Sequence, residues 1–536
     1  AGVSVRRTGG GTAVPQVRGS APEEVLVLLD GIPLNDPLTG RADLARVSVA
    51  DVASVTLLPG VQTARTGGRA MAGVIEVTTR SRVTPELSSD VGSYGAWGSR
   101  GGASIGALSV SAEVDHLADG YPATAPGGEP TERENAGGTV WSALVRGRGA
   151  LDLTLRANGA DRGLPGSMTN PSLTGSGSDR ALLAAIRREG AVSWSITGQW
   201  VEARSADPDA PPRNTSYDVT TRSAGGSAAL ASRWPLALGG WSGEATVAAD
   251  GRYDRFTGDG VAVGADFARA GARTGVELAA GPWTFSPVVR MDIWSRAGGG
   301  GITGRFDAGW HHAGTSASLG VGSGITPPVP FDLLFREGVG VALNSGLRPE
   351  RVVWEATADL RQAGSWFGVP GTLSLSGFIG RVDDFVTWAA GANFVWSPQN
   401  VNIRRQGGEL ALELRPGERI SLTGGVSVSV VNFAAAPWLP VAYRPRDSER
   451  AGLSWTPAGW RFDLGWRRLG RRPQYNNGYF NLPAIGLWDL GAERRLSRAF
   501  LLRIDGRDLT DRRPEYVAGL PLPGRTVALT LTYSVP

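Results

Sequence analysis

Apolar and polar residues alternate along most of the chain after residue 83. In ALDLTLRA (150–157), leucines alternate with acidic, hydroxyl and basic residues. The same two-residue period recurs in VSWSITGQW (192–200), RISLTGGVSVSV (419–430) and TVALTLTYS (526–534). Because successive side chains of a strand point to opposite sides, this period predicts β-strands with one apolar face and one polar face.

The connections between these strands alternate between short and long. The short ones are GALS (106–109), GRGA (147–150), REGA (188–191), AGPW (280–283), RPGER (415–419), TPAGW (456–460) and LSRAF (496–500). Long loops rich in Pro and Gly lie between them, at 119–135, 162–176, 205–215, 327–350, 434–444, 469–482 and 510–524. A soluble β-sandwich also alternates, around a dry core. Short turns on one rim, long loops on the other and a polar face of Ser, Thr and Gly favour a membrane barrel.

The spacing of the connections predicts an all-β membrane barrel of about 22 antiparallel strands, an even number as in bacterial single-chain barrels. Tryptophans adjoin several short connections, where an interfacial aromatic girdle is expected. They are Trp234, Trp241, Trp283, Trp366 and Trp460. The alternative is that these are ordinary core tryptophans.

The first 82 residues follow a different pattern. VLVLLD (25–30) is an unbroken apolar run that ends in turn formers, which predicts a buried strand. DLARVSVADVASVTLL (43–58) predicts a short helical turn and then a strand, and AGVIEVTTR (72–80) predicts a last strand. A barrel of this size has a wide lumen that is usually plugged. We therefore expect a small α+β plug over residues 1–82 inside a barrel over residues 83–536.

Composition excludes several classes of protein. The chain has no cysteine, so it has no disulfide and no thiolate site. Its net charge of +4 comes without a basic block, and nucleic-acid binding is not expected. It has no apolar run of about 18 residues, as a membrane helix needs. His311 and His312 are adjacent and would point to opposite faces of a strand. No phosphate-loop or serine-hydrolase motif is present, so we expect neither a cofactor nor an enzyme.

Several segments together resemble TonB-dependent outer-membrane transporters. In the plug these are VRGSAPEEVLVLLDGIPLNDP (17–37) and GVQTARTGGRAMAGVIEVTTR (60–80); in the barrel they are NSGLRPE (344–350), NIRRQGGELALEL (402–414), and DLTDRRPEY (508–516) with PLPGR (521–525). The likeness is strongest to the vitamin B12 (cobalamin) receptor type. It implies a receptor in the bacterial outer membrane that binds a corrinoid or a ferric siderophore and imports it by TonB-coupled plug movement.

The resemblance also implies which residues carry function. Two apical plug loops would contact the ligand: Thr8, Gly9, Gly10, Gly11, Thr12, Ala13 and Val14, and Asn35, Asp36, Pro37, Leu38, Thr39, Gly40 and Arg41. Arg18 and Glu409 would form an ion pair between plug and barrel, with a solvated lumen charge as the alternative. The implied partners are outer-membrane lipid and lipopolysaccharide, a small-molecule ligand, and the TonB complex if a TonB box precedes this chain. A monomer is expected.

The sequence departs from the family pattern at the plug. The resemblance begins part-way into the plug, so the plug is expected to be truncated at its front, without the TonB box. Pro59 stands where the family usually has arginine, and Thr66 where it usually has tyrosine. These departures favour an alternative function, a plugged barrel with a structural or assembly role that is not an active transporter.

Overall fold

The computed structural model describes residues 3–8, 11–210, 215–261, 264–335, 341–366, 368–390 and 395–535. Within this part of the chain, 22 strands form a closed antiparallel barrel, and a smaller N-terminal unit lies inside it. The predicted fold class, an all-β barrel of about 22 strands with an N-terminal plug, is thereby confirmed.

The N-terminal unit contains six strands, one α-helical turn and three 3-10 turns. They are β1 (Val3–Arg7), β2 (Ala13–Val17), β3 (Val25–Leu29), β4 (Ile32–Pro33), β5 (Val52–Pro59), α1 (Thr63–Thr66) and β6 (Gly73–Thr79), with 3-10 turns at Pro22–Glu24, Leu44–Arg46 and Val49–Asp51. Strands β1 and β2 form a hairpin. The other four form a sheet in the order β4-β3-β6-β5, in which β3 and β6 are parallel.

The apolar run at 25–29 is an inner strand of that sheet, as its pattern predicts. Val25, Val27 and Leu29 are buried in one cluster with residues of β6. Asp30 and Gly31 then reverse the chain with φ angles of 48° and 81°, the backbone that tight hairpin turns require.

The remaining elements form the barrel wall and its connections. In chain order they are β7 (Glu86–Gly92), a 3-10 turn (Ser93–Gly95), β8 (Trp97–Ile105), β9 (Leu108–Leu117), β10 (Tyr121–Thr124), β11 (Pro130–Arg133), β12 (Gly138–Gly147), β13 (Asp152–Gly163), β14 (Gly166–Ser167), β15 (Asn170–Pro171), β16 (Ser176–Arg188), β17 (Val192–Ala210), β18 (Thr215–Leu238), β19 (Trp241–Thr257), β20 (Ala265–Ala280), β21 (Trp283–Trp294), β22 (Gly300–His312), β23 (Thr315–Thr326), α2 (Pro330–Leu334), β24 (Glu350–Trp366), β25 (Val369–Ala390), β26 (Trp396–Leu414), β27 (Ile420–Phe433), β28 (Asp447–Trp455), β29 (Trp460–Leu469), β30 (Arg472–Pro473), β31 (Asn481–Leu482), β32 (Ile485–Arg495), β33 (Phe500–Arg507) and β34 (Thr526–Ser534). The pairs β10–β11, β14–β15 and β30–β31 are small hairpins within long connections, and β34 closes the barrel by pairing with β7.

Several predicted loops are partly strand. The three small hairpins lie within the predicted loops 119–135, 162–176 and 469–482, and a wall strand extends into a fourth. Residues 205–210 lie in β17, which stays paired with β18 as far as Ala210. The alternation there is weak, because the face opposite Ser205, Asp207 and Asp209 carries only small residues and a proline, namely Ala206, Pro208 and Ala210. The hairpin ladder between neighbouring strands therefore continues beyond the segment that periodicity could identify.

The outward faces of the strands are apolar and exposed. Leu230, Ile302 and Leu319 have exposed fractions of 53%, 72% and 65%, which suits a surface that contacts lipid hydrocarbon. Trp283 and Trp460 begin strands that follow short connections and are also exposed. No helix in the described ranges has the length and apolar character of a membrane span.

Candidate functional site

The loop Asn35–Arg41 is held in shape by its own polar side chains. The Asn35 amide accepts from Val27 N (2.9 Å) and donates to Val25 O (2.9 Å) and Gly40 O (2.8 Å). Asp36 Oδ1 accepts from Thr39 N at 2.7 Å and from Thr39 Oγ1 at 2.9 Å. The Asn35 side chain is buried and fully used within the plug, so its role here is to fix the loop.

Leu38 and Gly40 face protein. Phe331 N of α2 donates to Leu38 O at 2.9 Å, and Leu38 is buried in an apolar cluster that includes Phe256, Phe267 and Trp294 of the barrel wall. Gly40 is also buried. Pro37 is half-buried, and Arg41 has a side chain 50% exposed, 3.4 Å from Glu23 Oε2. Within this loop, Arg41 is the residue whose charged group is most open to a ligand.

The other predicted ligand loop is the turn between β1 and β2. Gly9 and Gly10 lie outside the described residues. Thr8 Oγ1 and Thr12 Oγ1 are hydrogen-bonded to each other across the turn. Ala13 is buried, and its N–H donates to Asp43 Oδ1 at 2.9 Å, whereas Val14 is half-buried. Gly11 has φ 79° and packs against Leu117 of β9, where a Cβ would lie 2.5 Å from Leu117 Cδ1.

Two further arginines, Arg6 and Arg444, lie near Arg41. Burial lowers the pKa of Arg6, and the nearby charges of Arg41 and Arg444 lower it further, to about 10. Burial alone would raise the pKa of Glu23, but Arg41, the Glu23 backbone amide and Arg444 lower it overall. Arg6, Arg41 and Arg444 thus surround the Glu23 carboxylate, and Arg444 also interacts with Glu24 and Glu350.

Exposed aromatic residues occupy the loops that carry and flank Arg444. The loops 434–446 and 470–484 are joined by Ala442 N, which donates to Asn476 Oδ1 at 2.9 Å. They present aromatic side chains to solvent, namely Trp438 (76% exposed), Tyr475 (43%), Tyr479 (84%) and Phe480 (61%). We call this surface, with Arg6, Arg41 and Arg444, the outer vestibule. It offers guanidinium donors and π-faces, which suit an anionic ligand with flat rings.

The ion pair expected from the resemblance lies where plug meets barrel. Arg18 Nε donates to Glu409 Oε1 of β26 at 3.0 Å, and its guanidinium lies 4.8 Å from the centre of the Phe378 ring. Both charged side chains are buried, at 4% and 8% exposure. Asp359 adds a carboxylate 3.8 Å from Arg18. This places Arg18 and Glu409 in a dry contact.

Sequence reasoning missed a larger buried network at the same interface. Arg405 of β26 lies with Nε 2.7 Å from Glu355 Oε2 and Nη1 3.4 Å from Glu24 Oε1. Its Nη2 donates to Met71 O at 2.6 Å, and Glu355 Oε1 accepts from Val61 N at 2.9 Å. Arg405 and Glu355 belong to the barrel, and the other groups belong to the plug. The pattern QGGELAL gave no signal that Arg405 turns inward to a plug carboxylate.

Further pairs bind the plug to other parts of the wall. Arg65 lies 2.7 Å from Asp307 of β22, and Arg46 lies 2.6 Å from Asp179 of β16. Asp30, in the turn after β3, lies 3.8 Å from Arg146 of β12. Charged groups that are buried between two bodies can be rehydrated when the bodies separate, so such an interface can open at lower cost than an apolar core.

The part of the chain that the structure describes contains no group of three or more His, Cys, Asp or Glu side chains arranged to hold a metal ion. His311 and His312 behave as their spacing predicts, since His311 Nδ1 contacts Ser316 Oγ at 2.8 Å while His312 packs toward Trp310.

Comparison with known proteins agrees with this architecture. The TonB-dependent receptor plug domain matches residues 1–74, and the TonB-dependent receptor-like β-barrel matches residues 93–509. Among solved structures, the copper transporter OprC has a TM-score of 0.79 at 17% identity and covers 100% of this chain and 95% of its own. The siderophore receptor PirA from Acinetobacter baumannii has a TM-score of 0.76 at 15% identity, and the match covers 100% of this chain and 94% of PirA. The FrpB iron transporter from Neisseria meningitidis has a TM-score of 0.77 at 14% identity, and the match covers 100% of this chain and 95% of FrpB.

At these identities the solved structures support the fold alone. The two family matches, together with the plug-in-barrel geometry, show the family of the chain. This protein belongs to the TonB-dependent receptor family.

Proposed function

We propose that this protein is an outer-membrane receptor that binds an anionic metal chelate, of the ferric siderophore class, at the outer vestibule and imports it by TonB-coupled plug movement. The observation that carries this proposal is the group Arg6, Arg41 and Arg444 beside the exposed aromatic residues of two long loops. Guanidinium groups bind carboxylate and catecholate oxygens through charge-assisted hydrogen bonds, and aromatic faces stack on flat ligand rings.

The printed names of similar structures support a chelate as ligand. PirA is a siderophore receptor, and PfeA from Pseudomonas aeruginosa is a ferric enterobactin receptor. The cobalamin likeness of the sequence keeps corrinoids as a second ligand class. A corrinoid presents mostly neutral amides at its rim, so the guanidinium donors of the vestibule favour the siderophore.

The experiment is a binding titration of the purified protein against a panel of ferric siderophores and cyanocobalamin, read by quenching of tryptophan fluorescence. We expect saturable binding of an anionic chelate. Arg41→Gln should weaken it about tenfold, because a charge-assisted hydrogen bond contributes about 1.5 kcal/mol. Arg415→Gln is the matched control, since Arg415 is also exposed but pairs with Glu413 at the rim of short connections.

Two outcomes would contradict the proposal. Tight binding of cyanocobalamin without any siderophore would assign the corrinoid class instead. Binding of no member of the panel would favour the structural or assembly role. Coupling to TonB is tested separately, by uptake of the bound chelate in cells with and without TonB.

A further inference from the structure

An apolar cavity of about 600 Å³ opens on the lipid-facing side of the barrel wall, across strands β17 to β21. Alanines and a glycine of β18, β19 and β20 form its floor, and its sides include Ile196 of β17 and Met291 and Ile293 of β21. These three larger side chains are 56%, 52% and 52% exposed. The cavity therefore faces the hydrocarbon of the membrane and is separate from the lumen and the outer vestibule.

The strand register produces the hollow, because two adjacent cross-strand rows have small residues in the middle and large residues at their ends. The rows are Ile196, Ala228, Gly251, Ala270 and Ile293, and Trp194, Leu230, Ala249, Ala272 and Met291. Directly opposed side chains lie about 4.5–5.5 Å apart, so the small residues of both rows form one continuous floor. Tyr253 and Val247, on either side of the two rows along β19, are 49% and 48% exposed and bound the hollow.

An exposed arginine extends one of these rows. Arg188, the last residue of β16, is the direct cross-strand partner of Trp194. It shares the lipid-facing side of β16 with Leu182, which is 53% exposed, because residues an even number of positions apart on a strand share a face. Arg188 makes no hydrogen bond or ion pair with any residue that the structure describes. The adjacent carboxylate, Glu189, lies 3.4 Å from Arg187 instead.

The position of Arg188 along the barrel axis indicates what surrounds it in the membrane. It adjoins a short connection, and short connections of outer-membrane barrels face the periplasm. Arg180, on the same face of β16 but nearer the long loops, has a protein carboxylate, Asp161, at 2.6 Å. Arg188 lies beside Trp194 instead, at the rim where interfacial tryptophans meet lipid headgroups. A lipid phosphate is the anion available to its guanidinium there.

We propose that this surface binds one phospholipid of the periplasmic leaflet, with the headgroup phosphate on Arg188 and an acyl chain in the cavity. A cation without a protein partner beside an apolar hollow is complementary to an amphiphile with an anionic head and an apolar tail. A chain in the hollow contacts the floor and both sides, whereas a chain on a convex wall has protein atoms on one side only. The site lies outside the barrel, so it does not depend on the ligand proposed for the outer vestibule.

Native mass spectrometry of the full chain in detergent measures this binding. The probes are phosphatidylglycerol, which is anionic, and phosphatidylcholine, which has no net charge, with the same acyl chains. We expect the first phosphatidylglycerol to bind about fivefold more tightly than the first phosphatidylcholine, the factor that one arginine contributes beside an anionic lipid surface. Arg188→Gln should remove this preference, and Arg188→Lys, which retains the charge, should keep it.

Two matched controls separate a specific site from general attraction to the rim. Arg494 also adjoins a short connection and lies 4.9 Å from the Trp460 ring, but it is remote from the cavity, so Arg494→Gln should leave the preference unchanged. Ala249→Leu with Ala270→Leu fills the cavity and should weaken phosphatidylglycerol binding about fivefold, as the loss of roughly ten carbon–carbon contacts would. Ala184→Leu adds the same group at an exposed position outside the cavity and should have no effect.

Equal affinities for the two lipids, a preference that survives Arg188→Gln, or the same loss of preference in Arg494→Gln would overturn the phosphate contact. Unchanged binding in the double alanine variant, or an equal loss in Ala184→Leu, would overturn the acyl-chain site. A dimer that persists in detergent and disappears when the cavity is filled would assign this surface to a second copy of the chain and would also overturn the proposal.

Discussion

Replacement of Arg405 by methionine tests whether buried charges hold the plug in the barrel. Arg405 is 4% exposed and serves two carboxylates, Glu24 and Glu355, that are 3% and 2% exposed. Removal of one member of a buried ionic group leaves the others without compensation, which costs about 3–5 kcal/mol. Because every 1.4 kcal/mol is a factor of ten, plug opening should become about 100- to 4,000-fold more populated.

Hydrogen exchange read by mass spectrometry measures that opening. The informative peptides cover Val61, whose N–H donates to Glu355, and Ala72, whose N–H donates to Glu24 O at 3.0 Å. Their exchange should accelerate by the stated factor, since exchange from an opened state follows its population. Peptides from the barrel strands should keep their protection, because their backbone ladder is unaltered.

Two further variants decide the reason for the effect. The triple variant Arg405→Met, Glu24→Gln and Glu355→Gln removes all three charges and should recover much of the protection. Arg461→Met should change little, since Arg461 is 52% exposed and its pair with Asp463 is worth at most about 1 kcal/mol. Unchanged plug exchange in the single variant, or equal exchange in the single and triple variants, would refute the charge-network explanation.

Three other predictions concern the loop 35–41 and the segment that covers it. Asn35→Ala should destabilise the plug by roughly 2–4 kcal/mol, because three buried backbone groups lose their partner; faster amide exchange over residues 25–40 would show it, and unchanged exchange would contradict it. Gly40→Ala should cost about 1–2 kcal/mol or more, because φ is 71° and the new Cβ would lie 2.9 Å from Val329 Cγ1; a lower unfolding temperature of the plug checks this. Burial, with a contribution from Glu23, raises the pKa of Asp332 to about 6; since the unfolded value is about 4, docking of α2 should weaken as pH rises from 4 through 6 and should become independent of pH well above 6 and well below 4. Amide exchange of α2, corrected for intrinsic rates, should show that trend and lose it in Asp332→Asn.

The strand pattern could be read from the sequence because it is local and repeated. Each barrel strand needs one lipid face and one lumen face, so a period of two residues recurs in segment after segment. The buried strand 25–29 and the turn at Asp30-Gly31 were equally local. The extension of β17 to Ala210 and the small hairpins within the long connections escaped, since their strands lack an alternation of large apolar and polar residues.

The site could be predicted only in part, because its groups are far apart in sequence. Arg18 and Glu409 are separated by 391 positions and were named through family resemblance alone. Arg405 and Glu24 are separated by 381 positions, and neither stands in a pattern that marks it. Asn35 was expected at the ligand, yet its side chain is used entirely by plug backbone, which no local pattern distinguishes from a ligand contact.

The sequence by itself determined most of the barrel strands, the plug-plus-barrel organisation and the placement of short and long connections on opposite rims. Each of these depends on neighbouring residues and connection lengths. The tertiary structure decided which charges meet. Closure of 22 strands around the plug sets the inward ring of side chains, and only that ring reveals that Arg405 has two carboxylates while Arg450 faces another cation. Electrostatic energy depends on distance in space and on burial, and neither is a property of position along the chain.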